Sequence, residues 1–395
     1  MMLEINLNMY HGVALGAAMF WLGTVLTRKI GVLSRFCIPA PLVGGLCFAL
    51  VNALLYAAGV AVIQFDNTLE TVFMVLFFCT VGFTVSIPQL ARGGRAVILL
   101  LVLGIVMIVV QNGMGGAIMA LMGKNPLYGI GCGSIALIGG PGTAAGIGPD
   151  LEAAGAAGAK AVSVAAATFG LVSGSLMGGP TARRLINKYN LKSKGGGEEA
   201  VVESEQLTTD SGRLIKGFMI ILVGVGVGNQ VSTWLTRLCG FSFPGYIGAM
   251  VVAVVIRNVM DAGKMEFPAG EIDAFGNVFL SIFLSMALAG LKLWQLVDLA
   301  LPMIACLAMQ VVVMFIFSYF IVFRVMGRDY DAAVMTAGFV GFAMGATSNA
   351  MANMQAVTKK YGPSPIAYFA IPMVGSLFID FFNAAMIAFN IGLWS

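Results

Sequence analysis

Gly131-Cys132-Gly133-Ser134-Ile135-Ala136-Leu137-Ile138-Gly139-Gly140-Pro141-Gly142-Thr143 is apolar enough to enter a membrane, yet too rich in glycine and proline to cross one as a continuous helix. Glycine costs ~1 and proline ~3 kcal/mol relative to alanine in a helix interior, so the stretch is expected to break near Gly140. Lipid cannot satisfy backbone N–H and C=O groups freed at membrane depth, so such a break is tolerated only where it is buried in protein or lines a wet cavity. The same free groups can hold ions and carboxylates. A second stretch repeats the composition in Gly338, Gly341 and Gly345-Ala346-Thr347-Ser348-Asn349, followed by Asn353, which lies one helical turn beyond Asn349 on the same face.

The chain around these stretches is built for lipid. Of its 395 residues 59% are hydrophobic and 10% charged, against about 25% charged in an ordinary soluble domain. A bilayer core of ~30 Å takes ~20 apolar residues per helix. Such runs fall near residues 12–30, 39–63, 69–90, 96–122 and 160–186, then 214–237, 244–260, 274–296, 299–324 and 365–392. The fold class expected is an all-α integral membrane protein with ten transmembrane helices.

Residues 187–212 are polar and glycine-rich, with Lys192-Ser193-Lys194-Gly195-Gly196-Gly197-Glu198-Glu199 at their centre, and read as a flexible linker. The linker divides the chain into a first part, 1–186, with its glycine-broken segment at about 127–150, and a second part, 213–395, with its own at about 331–357. Slid by about 205 positions, the two parts match at Pro41 and Pro244, Gly45 and Gly248, Val72-Phe73 and Val278-Phe279, Gly133 and Gly338, and Gly140 and Gly345. Five spans is an odd number, so the second repeat enters the membrane upside down relative to the first. With both termini outside, only Lys124, Lys160, Arg237 and Lys292 of the 22 basic residues stay outside. That partition requires 127–150 and 331–357 to be re-entrant hairpins, one from each side, and makes the linker cytoplasmic.

The first eleven residues carry Glu4 and no lysine or arginine, so the first apolar run is expected to be retained and not cleaved. The net charge of +4 is too small to point to nucleic acid. His11 is the only histidine, and the six cysteines are scattered without a metal-ligand spacing. Metal-centred and Ser-His chemistry therefore lack material, and the chain is not expected to be an enzyme. Gly140 to Ala145 fits a GxGxxA fingerprint formally, but no βαβ unit surrounds it. Gly170, Gly174 and Gly178 share one helix face and are expected to let another backbone approach. Asp380 and Asn383, spaced i, i+3, lie in the last apolar span. A carboxylate at the bilayer centre costs ~2.5–3.5 kcal/mol on insertion scales, and sodium is a natural partner for one. Gln111, Asn112, Gln310, Asn349 and Asn353 suit inter-helical hydrogen bonds as well as ligand contact.

Ile38-Pro39-Ala40-Pro41-Leu42-Val43-Gly44-Gly45, Ala167 to Gly170 with Gly178-Gly179-Pro180, Phe275 to Val278 with Gly290 to Trp294, Tyr330 to Ala333 through Pro363, and Ile371 to Gly375 with Ile379-Asp380 and Asn383-Ala384 together resemble the bacterial sodium/glutamate symporter family. The resemblance covers essentially the whole chain apart from the linker. It implies two inverted five-helix repeats, each with a re-entrant hairpin ending in a GGxG-like tip, in a homodimer that works as an elevator-type transporter of the bacterial inner membrane. It also implies co-transported sodium as the coupling ion and L-glutamate or a similar acidic molecule as substrate.

Carried over by position, the family's tips fall on Gly139, Gly140, Gly142 and Thr143, and on Gly341, Gly345, Ala346 and Thr347. Of these, Gly139, Gly140, Gly142, Thr143, Gly345, Ala346 and Thr347, together with Asn349 and Asn383, are the expected substrate contacts, and Asp380, Thr347 and Asn353 the expected sodium ligands. Pro141 stands where the family's glutamate carriers have His, and Ser348 and Asn349 where they have Pro and Thr. A different amino acid or a citrate-like carboxylate therefore stays open as the cargo. A membrane enzyme or a channel would need a titratable cluster at a wet face or a continuous polar pore instead.

Overall fold

The computed structural model describes residues 2–88, 94–193, 211–239 and 244–394. Arg92, Lys194 and most of the linker lie outside the described residues. Among those described, nine helices are long and apolar enough to cross a membrane: Met9–Lys29, Ala40–Ala57, Gly94–Leu121, Ala159–Tyr189, Ser211–Leu238, Gly245–Ala262, Ala269–Ala289, Ala300–Val325 and Pro365–Trp394. The helix Thr68–Phe83 is apolar but shorter, at 16 residues. Large apolar side chains stand on the outside, including Trp21 at 76% and Leu121 at 87% exposure. Such surfaces suit a lipid solvent, and the chain is a multi-pass membrane protein.

Several spans are shorter than their apolar runs. The run at 39–63 leaves the helix after Ala57, and Ala61–Phe65 pairs in parallel with Leu3–Leu7 as a small two-stranded sheet. Asn52, buried in the helix before it, holds both backbone groups of Ile63, donating to its C=O at 3.0 Å and accepting from its N–H at 2.9 Å. That bidentate amide occupies an edge that would otherwise be unpaired. The run at 274–296 ends as an α-helix at Ala289 and turns into a 3-10 stretch, Leu293–Leu299.

The chain forms two compact units. One comprises Met1–Phe83, Pro141–Val164 and Leu207–Leu301; the other Thr84–Gly140, Ala165–Gln206 and Pro302–Ser395. Each therefore draws on both sides of the linker.

Glycines set the helix spacing in the first unit. A Cβ on Gly23 would lie 1.9 Å from the Ala40 oxygen, and one on Gly44 would lie 1.7 Å from the Met19 oxygen, so Met9–Lys29 and Ala40–Ala57 touch backbone to backbone. The pair Ser211–Cys239 and Gly245–Ala262 does the same: a Cβ on Gly228 would lie 2.3 Å from Ala249 Cα, and one on Gly248 would lie 2.0 Å from the Gly228 oxygen. Proline opens the second helix of each pair, Pro39 and Pro244 standing at the N-caps, where their missing N–H costs nothing. Thr68–Phe83 and Ala269–Ala289 then pack through Phe73 on Phe279 and Phe77 on Phe283, each pair with centroids 6.2 Å apart. Leu76, Cys79, Phe83, Ile221, Ala253 and Ile272 complete that core.

Several charges in this unit are paired. Lys160 Nζ donates to Glu70 Oε1 at 2.7 Å, with side chains 12% and 9% exposed. Arg213 Nε donates to Glu271 at 2.7 Å, and Arg257 to Asp261 at 3.1 Å.

The second unit contains a helix pair too short to span. Tyr330–Ala343 has 14 residues, which at ~1.5 Å each reach about 21 Å against a ~30 Å core. All but Asp331 are buried, the signature of a helix surrounded by protein. The return helix, Thr347–Tyr361, packs along it, and a Cβ on Gly341 would lie 2.3 Å from Ala350 Cα. The far ends meet as well: Tyr330 donates its hydroxyl to the Gly362 oxygen, and Ser364 donates to Asp331. The segment is thus a closed hairpin with its tip at Met344 to Ala346.

Two measurements test these packings. Gly228→Leu should abolish the monodisperse peak in detergent size-exclusion chromatography, whereas Gly226→Leu, with open space around its Cα, should leave it intact. Glu70→Gln strands a buried ammonium and should destabilise the protein by about 3–5 kcal/mol in thermal or denaturant unfolding, with Glu70→Gln/Lys160→Gln recovering part of the loss.

Candidate functional site

The second unit brings the glycine tips together. The chain leaves the short helix Ser134–Leu137, breaks at Ile138-Gly139, and resumes as Gly140–Ala153 with Gly140 at φ +70. That is the left-handed region, in which a Cβ is strained, and a Cβ there would also lie 3.2 Å from the Gly345 oxygen. Gly140 and Gly345, matched by the sequence repeat, thus approach each other through their backbones. The break stands where the glycine and proline density places it. A second break, at Cys132-Gly133, separates Leu127–Gly131 from Ser134–Leu137 and was not expected.

The second tip is seated on a stripe of small residues. Met344 ends the helix and Ala346 is extended, at φ −166 and ψ 165, before Thr347 starts the return arm. A Cβ on Gly170 would meet the Met344 oxygen at 2.9 Å, and one on Gly174 would meet it at 3.0 Å. Gly178 faces Asn353 in the same way. The GxxxGxxxG face therefore packs, as its spacing implies, and what it packs against is the tip itself.

Amide side chains hold the broken backbone. Gln111 Nε2 donates to Ala343 O at 2.9 Å, and Gln310 Nε2 donates to Gln111 O at 2.9 Å. Asn112 Oδ1 accepts from Ser134 N–H at 2.9 Å, while Asn383 Nδ2 donates to Ser134 O at 3.1 Å. On the return arm Asn349 donates to Leu171 O at 2.8 Å and Asn353 to Gly174 O at 2.9 Å. Thr347 donates its hydroxyl to Gly375 O at 2.9 Å. Gly375 lies in the π-helical turn Met373–Phe378, a distortion that loosens backbone acceptors and recurs at functional sites. Asp380 follows that turn, half-buried, and no hydrogen bond or ion pair reaches it among the described residues.

The expected residues thus divide. Gly139, Gly140, Gly345, Ala346, Thr347, Asn349, Asn353, Asp380 and Asn383 all belong to the second unit. Gly142 and Thr143 belong to the first, where Gly142 lies against Leu280 and Phe77 and Thr143 is 7% exposed. Ser134 carried no role in the sequence reading, because a lone serine in an apolar run has no pattern to mark it. Gln111, Asn112 and Gln310 stood out only as amides in apolar helices.

These amides leave atoms over. Gln111 Oε1, Asn112 Nδ2, Ser134 Oγ, Gln310 Oε1, Asn349 Oδ1 and Asn383 Oδ1 are buried without a hydrogen-bond partner. Each such atom costs about 1–3 kcal/mol unless something occupies it. Five of the six are oxygens, so the network offers mainly acceptors.

Residues 5–363 match the family described as sodium/glutamate symporter. The sodium/glutamate symporter of Escherichia coli K12 is 39% identical over 374 residues, 93% of each chain. That of Haemophilus influenzae is 35% identical over 394 residues, 98% of this chain and 97% of the relative. Among solved structures, a sodium proton antiporter from Methanocaldococcus jannaschii aligns over 98% of both chains at 12% identity with a TM-score of 0.46, a likeness too weak to argue from. With the family matched along most of its length and relatives this similar from end to end, the chain belongs to the sodium/glutamate symporter family.

Proposed function

We propose that this protein imports L-glutamate across the bacterial inner membrane by symport with sodium. The observation that carries the reading is Asp380, a carboxylate in the last span without a partner among the described residues, in the same unit as the Gly139-Gly140 and Gly345 tips. A carboxylate at that depth needs a counter-charge, and a sodium ion supplies one that can arrive and leave. The names of the relatives, each a sodium/glutamate symporter, point the same way.

In this reading sodium binds first or together with substrate, neutralises Asp380 and orders the tips. Thr347 and Asn353 sit within a few turns of the same hairpin and join it as proposed ligands. The substrate carboxylates meet N–H groups at Gly140 and Gly345 beside the Thr347 hydroxyl, the N–H groups of Gly139 and Ala346 being already bonded to Ser134 O and Gly341 O. The start of Thr347–Tyr361 presents such N–H groups, an anion-favouring end of a helix. Coupling requires that the loaded and empty carriers travel while the sodium-only form does not, which is a difference in state stabilities.

The topology belongs to the same proposal: ten spans with Thr68–Phe83 as the shortest, two inverted repeats flanking a cytoplasmic linker, re-entrant hairpins, both termini outside, and elevator-type travel in a homodimer. Matched contacts support the repeat. Gly23 and Gly44 close one helix pair as Gly228 and Gly248 close another, and Phe73 and Phe77 lie on their own counterparts, Phe279 and Phe283.

The test is uptake of radiolabelled L-glutamate into proteoliposomes under an inward sodium gradient, with potassium alone as the control. Sodium-dependent accumulation is expected, and Asp380→Asn should reduce it at least about tenfold, the scale of one lost charge-assisted contact. No uptake by folded wild-type protein would reject glutamate as the cargo. Uptake of citrate or another amino acid in its place would assign the altered positions Pro141, Ser348 and Asn349 to specificity.

A further inference from the structure

The break at Cys132-Gly133 is the part of the first hairpin that the reading above does not use, and four buried polar side chains gather on it. Ser134 is 0% exposed, Asn112 1%, Gln310 0% and Asn383 1%. Gly133 is the point of convergence: a Cβ there would lie 2.8 Å from Asn112 Oδ1 and 3.0 Å from Gln111 O, the latter being the acceptor of Gln310.

Each amide has one end committed. Asn383 Nδ2 donates to Ser134 O, so reversing that amide would set oxygen against oxygen. Gln310 Nε2 donates to Gln111 O under the same constraint. Asn112 must present Oδ1 to accept from Ser134 N–H. Hydrogen bonding therefore decides which atoms are left over: Asn383 Oδ1, Gln310 Oε1 and Ser134 Oγ as oxygens, and Asn112 Nδ2 as the single nitrogen. Two of these oxygens are amide carbonyls that repel an anion, and the three come from three separate elements. They suit a small alkali cation with an oxygen shell, and Asn112 Nδ2 suits a water that completes it. Asp380 lies one turn before Asn383 on the same helix face.

We propose that the Gly133-Ser134 corner is a sodium site, with Ser134 Oγ, Gln310 Oε1 and Asn383 Oδ1 as its protein ligands. It rests on the sodium-coupled reading and names side chains which that reading lacks. An ion held there ties the first hairpin to the helix carrying Gln310 and to the last helix. Occupancy then determines whether the tip that follows, at Gly139-Gly140, is held in place.

Ser134→Ala is the cleanest variant, because it removes only the free hydroxyl and keeps the backbone bonds to Asn112 and Asn383. Two readouts are needed on full-length protein: binding of radioactive sodium in detergent, and the sodium concentration giving half-maximal glutamate uptake in liposomes. Ser134→Ala and Gln310→Leu should each raise that concentration about tenfold and weaken sodium binding in parallel. The glutamate KM at saturating sodium should stay within about twofold, since only uniform substrate binding would move it. Unchanged sodium binding and activation in folded Ser134→Ala protein would overturn the proposal and leave the corner to water. If wild-type protein binds sodium through Ser134 but moves no glutamate, the site stands and the glutamate reading falls.

Discussion

Everything in the second unit follows from one constraint: a backbone broken inside a membrane must find its hydrogen bonds within the protein. Glycine and proline make the breaks, and amide side chains then satisfy them. Gln111 reaches Ala343, Asn112 and Asn383 take the two backbone groups of Ser134, and Asn349 and Asn353 pin the return arm to Leu171 and Gly174. An amide has two ends of opposite character. One end used to hold backbone leaves the other unpaired, so a network of this kind carries polar atoms without partners in the interior.

Close packing makes the network possible. Gly170 and Gly174 admit the Met344 carbonyl, and Gly140 admits that of Gly345, at distances a side chain would forbid. Glycine serves the first unit differently, setting helix spacing through Gly23, Gly44, Gly228 and Gly248 while large aromatic rings fill the core. In one unit the small residues admit the carbonyls of broken backbone, and in the other they let helices touch. A GxxxG spacing read alone does not separate these uses, because both need the same absence of Cβ.

Much of the candidate site was legible, and its limits have physical causes. The break near Gly140 follows from local cost, since no helix tolerates Gly139-Gly140-Pro141-Gly142 in its middle, and tertiary packing does not reverse that. The break at Cys132-Gly133 was hidden, because one glycine before a serine is compatible with a helix until Asn112 and Asn383 offer Ser134 better partners. Gly142 and Thr143 sit two or three residues from Gly140, yet they pack with Phe77 and Leu280, a division that sequence adjacency conceals. Helix ends were similarly exposed to tertiary effects: residues 61–65 read as part of a span until Asn52 and Leu3–Leu7 supply strand partners.

What the sequence by itself determined about this protein is set by short-range energetics and solvent: which runs must lie in lipid, where glycine and proline forbid a helix, and which carboxylate, Asp380, falls within the last apolar run. The family resemblance was legible for a related reason, being carried by those same glycine, proline and aspartate positions. Only the tertiary structure decided which end of each amide is spent on backbone, which glycines face a carbonyl, and that Ser134 rather than a more conspicuous residue stands at the meeting point of Asn112 and Asn383. Those outcomes depend on groups far apart in the chain competing for one hydrogen bond or one small volume, and no local pattern records who wins.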